Sequence, residues 1–141
     1  MLWRTSAGSR EVTVFVADSS YFVALSDRKD RWHREAQRVK ASIRPEFVVS
    51  DFVVGEAVTL VGARRGGQPA QVLYEYFVDE CDIAFVDRDM LREAIAYHLQ
   101  YGGRLSVTDC LSLVVMGRRR IGDIVSLDDD FDRVRGINRI H

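Results

Sequence analysis

Four acids in this chain fall at the edge of, or inside, sequence that should be core. Asp18 follows the apolar run Val12-Thr-Val-Phe-Val-Ala17, and Glu56 lies within Phe52-Val-Val-Gly-Glu-Ala-Val-Thr-Leu-Val61. Asp109 opens the run Cys110-Leu-Ser-Leu-Val-Val-Met116, and Asp128 follows Ile124-Val-Ser-Leu127. A carboxylate near a core is costly unless it is paired, neutralised or bound to a cation. Four of them ask for a shared partner, and a hard divalent cation with oxygen ligands answers that need. The chemistry matching such a cluster is metal-assisted phosphodiester hydrolysis, in which Mg²⁺ or Mn²⁺ neutralises the phosphate, activates a water and stabilises the leaving oxygen.

Each acid also has a purely structural reading. Asp18 and Asp128 suit turn or cap positions, and Asp109 suits the first turn of a helix, where the macrodipole favours an anion. Glu56 is four residues from both Phe52 and Leu60, which predicts a place on the core stripe of its helix. There it needs a partner, with Arg64 or another arginine as the candidate if no metal is bound. The joint pattern is far more specific than its members.

The elements that must position these acids alternate. Val12–Ala17 is β-branched and apolar, as in a strand buried on both faces. Ser19 or Ser20 is placed to cap a short helix through Asp27, and Trp32, Ala36, Val39 and Ile43 recur at helical spacing up to Pro45. Phe47–Ser50 reads as a strand. Asp51 is the expected N-cap of a helix to about Arg65, closed by Gly66-Gly67. Pro69 sits near the start of the next helix, which runs to Glu80. Asp82–Val86 reads as a strand and Asp89–Tyr101 as a helix. Ser106 or Thr108 caps a helix reaching Gly117, Ile124–Leu127 is a strand, and a weak last strand lies near Ile137–Ile140. This pattern predicts a single three-layer α/β domain over residues 12–141, with a central, mostly parallel sheet of about five strands flanked by helices. In such a sheet ligands bind beyond the carboxyl ends of the strands, where Asp18 and Asp128 belong.

Composition sets the outer bounds. The 141 residues are 47% hydrophobic and 29% charged, as in an ordinary globular protein of one domain. Twenty basic and twenty-one acidic residues give a net charge of −1, so no global polycation advertises nucleic acid. Cys81 and Cys110 are too few and too far apart for a metal knuckle or redox motif, and two reduced thiols are expected. No apolar run approaches the ~18 residues of a membrane span. Residues 1–11 lack the apolar stretch of a signal peptide and read as a mobile leader, which places the protein in the cytoplasm.

Ala17-Asp18-Ser19-Ser20, Glu56, Leu105-Ser106-Val107-Thr108-Asp109 and Ser126-Leu127-Asp128-Asp129-Asp130-Phe131 resemble the motif series of PIN-domain ribonucleases. In size and order the chain looks like the VapC-type toxins of toxin–antitoxin pairs, with the similarity running from about Val12 to Asp132. The resemblance implies a PIN-like fold and a Mg²⁺- or Mn²⁺-dependent endoribonuclease acting on single-stranded RNA. It also implies a homodimer and a cognate antitoxin that holds the enzyme inactive. Asp18 and Asp109 match the two most diagnostic metal-binding acids, Glu56 the helix glutamate and Asp128 the late aspartate. Ser20 or Ser126 matches the accompanying hydroxyl or amide. Cys110 departs from the usual alanine after the third acid, and the acids at Asp128-Asp129-Asp130 leave the register of the fourth position open, with Asp128 chosen because Leu127 ends the strand.

Rival readings are another α/β phosphoryl-transfer enzyme and a non-catalytic RNA- or protein-binding module of the same fold. An aspartyl nucleophile of a small phosphatase usually needs a second acid two residues on, where this chain has Ser20. His33 and His98 lie at helical positions with no ligand partner at zinc spacing and read as structural. Arg118-Arg119-Arg120 and Arg64-Arg65 suit helix C-termini, where cations are favoured, and phosphate contact is the other reading. Tyr74, Tyr76 and Phe77 read as core or dimer interface.

Overall fold

The computed structural model describes residues 11–141; the expected leader falls almost wholly outside the described residues. Five parallel strands form one sheet in the order β3-β2-β1-β4-β5. They are β1 (Thr13–Ala17), β2 (Pro45–Ser50), β3 (Asp82–Ala84), β4 (Asp123–Val125) and β5 (Asn138–Ile140). Six helices join them: α1 (Ser19–Ser26), α2 (His33–Ser42), α3 (Asp51–Arg65), α4 (Gly67–Glu80), α5 (Arg88–Gln100) and α6 (Val107–Arg119).

Strand periodicity divides the core in two. Phe15 and Ala17 of β1, Phe47 and Val49 of β2, and Val125 of β4 pack under α1 to α4. Their alternates Val16, Val48 and Ile124 face α5 and α6. The result is the three-layer arrangement that the alternation of patterns predicts. The first layer is fixed by Phe22 of α1, fully buried, whose ring meets Phe77 at 4.8 Å and Phe47 at 5.5 Å, both edge-on. Edge-to-face pairs add about 1 kcal/mol each beyond the area they bury, so Phe22 seats α1 on both the sheet and α4.

Local signals set most boundaries. α3 starts where the Ser50 hydroxyl accepts from the Val53 amide at 3.1 Å, and it stops at Gly66, whose φ of 93° is open to glycine but strained for other residues. Ser50 is therefore the cap and Asp51 the first helical residue, one position earlier than expected; the Asp51 carboxylate instead accepts from the Val86 amide at 2.9 Å. α1 is likewise capped by Asp18 and not by Ser19 or Ser20. β3 ends at Ala84 and β4 at Val125, two residues short of the expected ends. Only the last three residues of β1 are buried, because the strand begins beyond the helix layers, where Val14 is 41% exposed.

Helices that follow a strand run back from its carboxyl edge, so α1 and α3 both begin there. α6 precedes β4 and begins at the same edge. The topology thus delivers the N-termini of three helices and the β4 exit loop to one place.

Candidate active site

Asp18 is the centre of that place. It leaves β1, is 4% exposed, and caps α1. Its Oδ1 accepts from the Ser20 amide at 3.2 Å and the Ser20 hydroxyl at 2.5 Å, while its Oδ2 accepts from the Ser126 hydroxyl at 2.8 Å. The two serines knit the β1 and β4 exits together. Ser20 Oγ accepts from the Leu127 amide at 2.9 Å, and Ser126 Oγ accepts from the Asp128 amide at 3.1 Å. Burial pushes the Asp18 carboxyl up to about 7; the serine hydrogen bonds oppose this, and the negative charges of Asp109 and Asp128 add to it.

Asp109 reaches the site from the first turn of α6, whose cap is Ser106, accepting from the Asp109 amide at 3.0 Å. Burial pushes Asp109 up to about 6, opposed by Ser106 and reinforced by the charges of Asp128, Glu56 and Asp130. Asp128 caps a 3-10 turn over Asp129–Arg133 by accepting from the Asp130 amide at 2.9 Å. Carboxylate oxygens of Asp128, Asp129 and Asp130 lie within 4.8 Å of one another, a separation one cation can bridge.

Glu56 departs from expectation. It is exposed, and the buried stripe of α3 is Val53, Ala57 and Val61. Phe52 and Leu60, the apolar neighbours that suggested a core position, are themselves 40% and 38% exposed. The core-facing stripe is set by what α1 and α4 can pack against, and the Phe52–Glu56–Leu60 row lies off it. Arg64 does not pair with Glu56 either; it binds Asp30 at 2.7 Å and Asp27 at 3.6 Å. Glu56 instead accepts from the hydroxyl of Ser19, the residue after Asp18.

Asp18, Glu56, Asp109 and Asp128 are therefore coupled through space or through adjacent residues, while Ser20 and Ser126 hold Asp18 directly. Ser19 and Asp130 join the group without a prior signal. Ser19 is an ordinary first-turn residue until α3 is laid beside α1, and Asp130 stands two places beyond Asp128, the acid that the end of the strand at Leu127 singles out. Among the described residues none of the four acids forms an ion pair; Arg139, behind the β4 loop, is bound bidentately to Asp132 and donates to the Ser126 carbonyl at 3.1 Å. A set of crowded, oxygen-only donors without ion-pair partners, two of which (Asp18 and Asp109) burial holds above the usual carboxylate range, fits a hard divalent cation.

The remaining polar features lie elsewhere. Arg118 pairs with Glu93 and Arg119 with Asp82, as a helix-end cation run does when it serves structure. His33 and His98 each place Nδ1 2.6 Å from a backbone carbonyl, of Ala24 and Leu105. Cys81 and Cys110 are free thiols. Ser20, at the position a phosphatase would give to its second acid, is occupied in holding Asp18. A cavity of about 770 Å³ opens at the amino edge, between Val14, Phe47, Arg120 and Asp123, and is lined by none of Asp18, Glu56, Asp109 and Asp128.

Known proteins share this fold. The PIN domain family model matches residues 15–137. The 23S rRNA-specific endonuclease VapC20 of Mycobacterium tuberculosis is 29% identical over 120 residues, which cover 84% of this chain and 91% of the relative. The crystal structure of M. tuberculosis VapC20, a Sarcin-Ricin loop cleaving toxin, superposes with a TM-score of 0.80 at 25% identity, covering 89% of this chain and 97% of that one. A toxin–antitoxin complex from Klebsiella pneumoniae gives a TM-score of 0.67 at 16% identity, covering 90% and 98%, a likeness of fold. With the family model spanning nearly the whole described chain, the protein belongs to the PIN domain family, and within it resembles the VapC toxins.

Proposed function

We propose that this protein is a Mg²⁺- or Mn²⁺-dependent endoribonuclease that cleaves single-stranded RNA, and the toxin of a type II toxin–antitoxin pair. The observation that carries the reading is the meeting of Asp18, Glu56, Asp109 and Asp128 at the carboxyl edge of a PIN sheet, none of them in an ion pair among the described residues. The 23S rRNA specificity of VapC20 makes a ribosomal RNA loop the first substrate to test.

Asp18, Glu56, Asp109 and Asp128 would hold the metal and orient the attacking water. The metal supplies a Lewis acid against the phosphate and a water of lowered pKa. The protein supplies positioning. Ser20 holds Oδ1 of Asp18 through both its amide and its hydroxyl and Ser126 holds Oδ2 through its hydroxyl, so the carboxylate is fixed in orientation and a lone pair of Oδ2 points in a set direction. Ser19 restrains Glu56, an exposed side chain that would otherwise sample many rotamers. The first turn of α6 adds its positive dipole end beside Asp109, favouring both the carboxylate and an incoming phosphate.

The exposed apolar side chains on α3 (Phe52, Leu60) and α5 (Leu91, Ile95, Leu99) are surfaces on which a homodimer would form. An antitoxin partner rests on the resemblance to VapC toxins and on solved relatives described as toxin–antitoxin complexes. No helix among the described residues is long and apolar enough to cross a membrane. The deciding experiment incubates purified protein with a 23S rRNA fragment and an unrelated RNA, with Mg²⁺, Mn²⁺ or EDTA. Cation-dependent internal cleavage is expected. Intact RNA under every condition, with the purified protein free of any bound partner, would sink the proposal.

A further inference from the structure

A second charged feature lies at the far ends of the two helices that build the acid site. Asp27, Arg28, Lys29, Arg64 and Arg65 enclose a cleft of about 270 Å³. Four cations meet one carboxylate there, in a chain whose net charge is −1. That carboxylate is already engaged, since Asp27 accepts from the Lys29 amide at 3.0 Å and faces Arg64 at 3.6 Å. Asp30, just outside the cleft, binds Arg64 as well, at 2.7 Å. Arg65 donates to the Ser26 carbonyl at 2.8 Å, which orients it without neutralising it. Among the described residues, Arg28, Lys29 and Arg65 have no carboxylate partner. Crowding like charges is unfavourable unless an anion joins them.

The position of the cleft indicates which anion. α1 begins beside Asp18 and ends at Asp27; α3 carries Glu56 and ends in Arg64 and Arg65. Glu56, Leu60 and Arg64 follow one another at intervals of four on a single face of α3, so Arg64 stands about 12 Å along the axis from Glu56. The exposed residues between them, Thr59, Leu60 and Ala63, carry no charge. An extended RNA strand covers that distance in a few nucleotides and meets no acid of α3 between Glu56 and Arg64. Arginine guanidinium groups recognise phosphate oxygens bidentately, and Arg64 and Arg65 are held in place before any ligand arrives.

We propose that this cleft binds a backbone phosphate of the RNA strand a few nucleotides from the scissile bond, so that the enzyme favours substrates long enough to reach it. The inference rests on the endoribonuclease reading above. Its test is the double variant R28A/K29A, whose side chains are exposed and unpaired and so can be removed without disturbing the fold. Cleavage is measured on a short oligonucleotide spanning the scissile bond and on a longer strand containing it. The variant should lose about tenfold in kcat/KM on the longer strand, keep the short-substrate rate of wild type, and show a log–log salt slope smaller by roughly one per lost contact. Equal losses at both lengths, or none at either, overturn the cleft while leaving the nuclease reading intact. Unchanged RNA kinetics together with loss of a co-purifying protein also overturn it, in favour of a protein-docking cleft. A wild type that cleaves neither RNA overturns both readings.

Discussion

The Ser126 hydroxyl donates to Asp18 Oδ2 at 2.8 Å, joining two residues 108 positions apart in the chain. Ser126 is fully buried, and its oxygen also accepts from the Asp128 amide, so one hydroxyl organises two of the four acids. The bond lowers the Asp18 pKa against a burial effect that raises it. Ser126→Ala should therefore raise that pKa further and move the acid limb of the pH–rate profile to higher pH. A stability loss of about 1–3 kcal/mol should accompany it, from the unpaired buried groups left behind. Ser126→Thr keeps the hydroxyl and should restore the profile. An unmoved acid limb in Ser126→Ala would remove Ser126 from the site.

Asp18→Asn and Asp109→Asn should each lower kcat by at least about 100-fold, since an amide is a poorer, uncharged ligand and even neighbours of metal ligands are worth 10–100-fold. EDTA should abolish wild-type cleavage and excess Mn²⁺ restore it. Retention of full rate by either variant in a nuclease-free preparation would place the chemistry elsewhere.

Stability should depend on pH in a direction set by the same crowding. Asp18 is raised to about 7 and Asp109 to about 6, both above the unfolded value of 3.8. A raised acid binds its proton more tightly in the folded state, so its contribution is complete below about pH 4 and is lost as pH rises toward 7. Metal-free protein should accordingly weaken between about pH 4 and 7, by up to a few kcal/mol. Asp109→Asn, which cannot acquire the charge, should melt higher than wild type at neutral pH without metal. Mg²⁺ should raise the wild-type melting temperature and affect the variant much less. A variant that melts lower, with both proteins indifferent to metal, would make Asp109 a helix-end acid and nothing more.

Ser19 restrains Glu56 across two helices. Ser19→Ala should reduce kcat several-fold with KM nearly unchanged, because the loss is of orientation and not of RNA contact. Ser19→Thr, which retains the donor, should recover most of the rate. A matching rise in KM would instead indicate a direct role in binding RNA.

Arg118 supplies the contrast. It pairs with Glu93 on the surface, and exposed pairs contribute about 0–1 kcal/mol. Arg118→Ala should leave cleavage within twofold of wild type and the melting curve almost unmoved. A large loss of activity would reopen the reading of the Arg118-Arg119-Arg120 run as an RNA contact.

Much of this molecule was written in its local sequence. The alternation of β-branched runs with helical spacing announced a parallel α/β sheet, and Gly66-Gly67 stopped α3 where expected, since backbone conformation at a positive φ is a property of the residue itself. The four acids were visible as carboxylates misplaced in apolar context. Local pattern was a poorer guide where two oxygens competed for one cap: Asp18 and Ser50 took the roles assigned to their neighbours, because capping depends on which side chain another element leaves free.

Tertiary structure alone decided the rest. Glu56 looked buried because its neighbours are apolar, yet Phe52 and Leu60 are exposed, and only the packing of α3 on α1 and α4 selects Val53, Ala57 and Val61 as the inner stripe. The bonds from Ser126 to Asp18 and from Ser19 to Glu56 span 108 and 37 residues, and no periodicity encodes them. They exist because the strand order sets β4 beside β1 and lays α3 against α1. A sequence specifies which groups are costly to bury; which of them meet is settled when the sheet closes and each buried oxygen must find its donor.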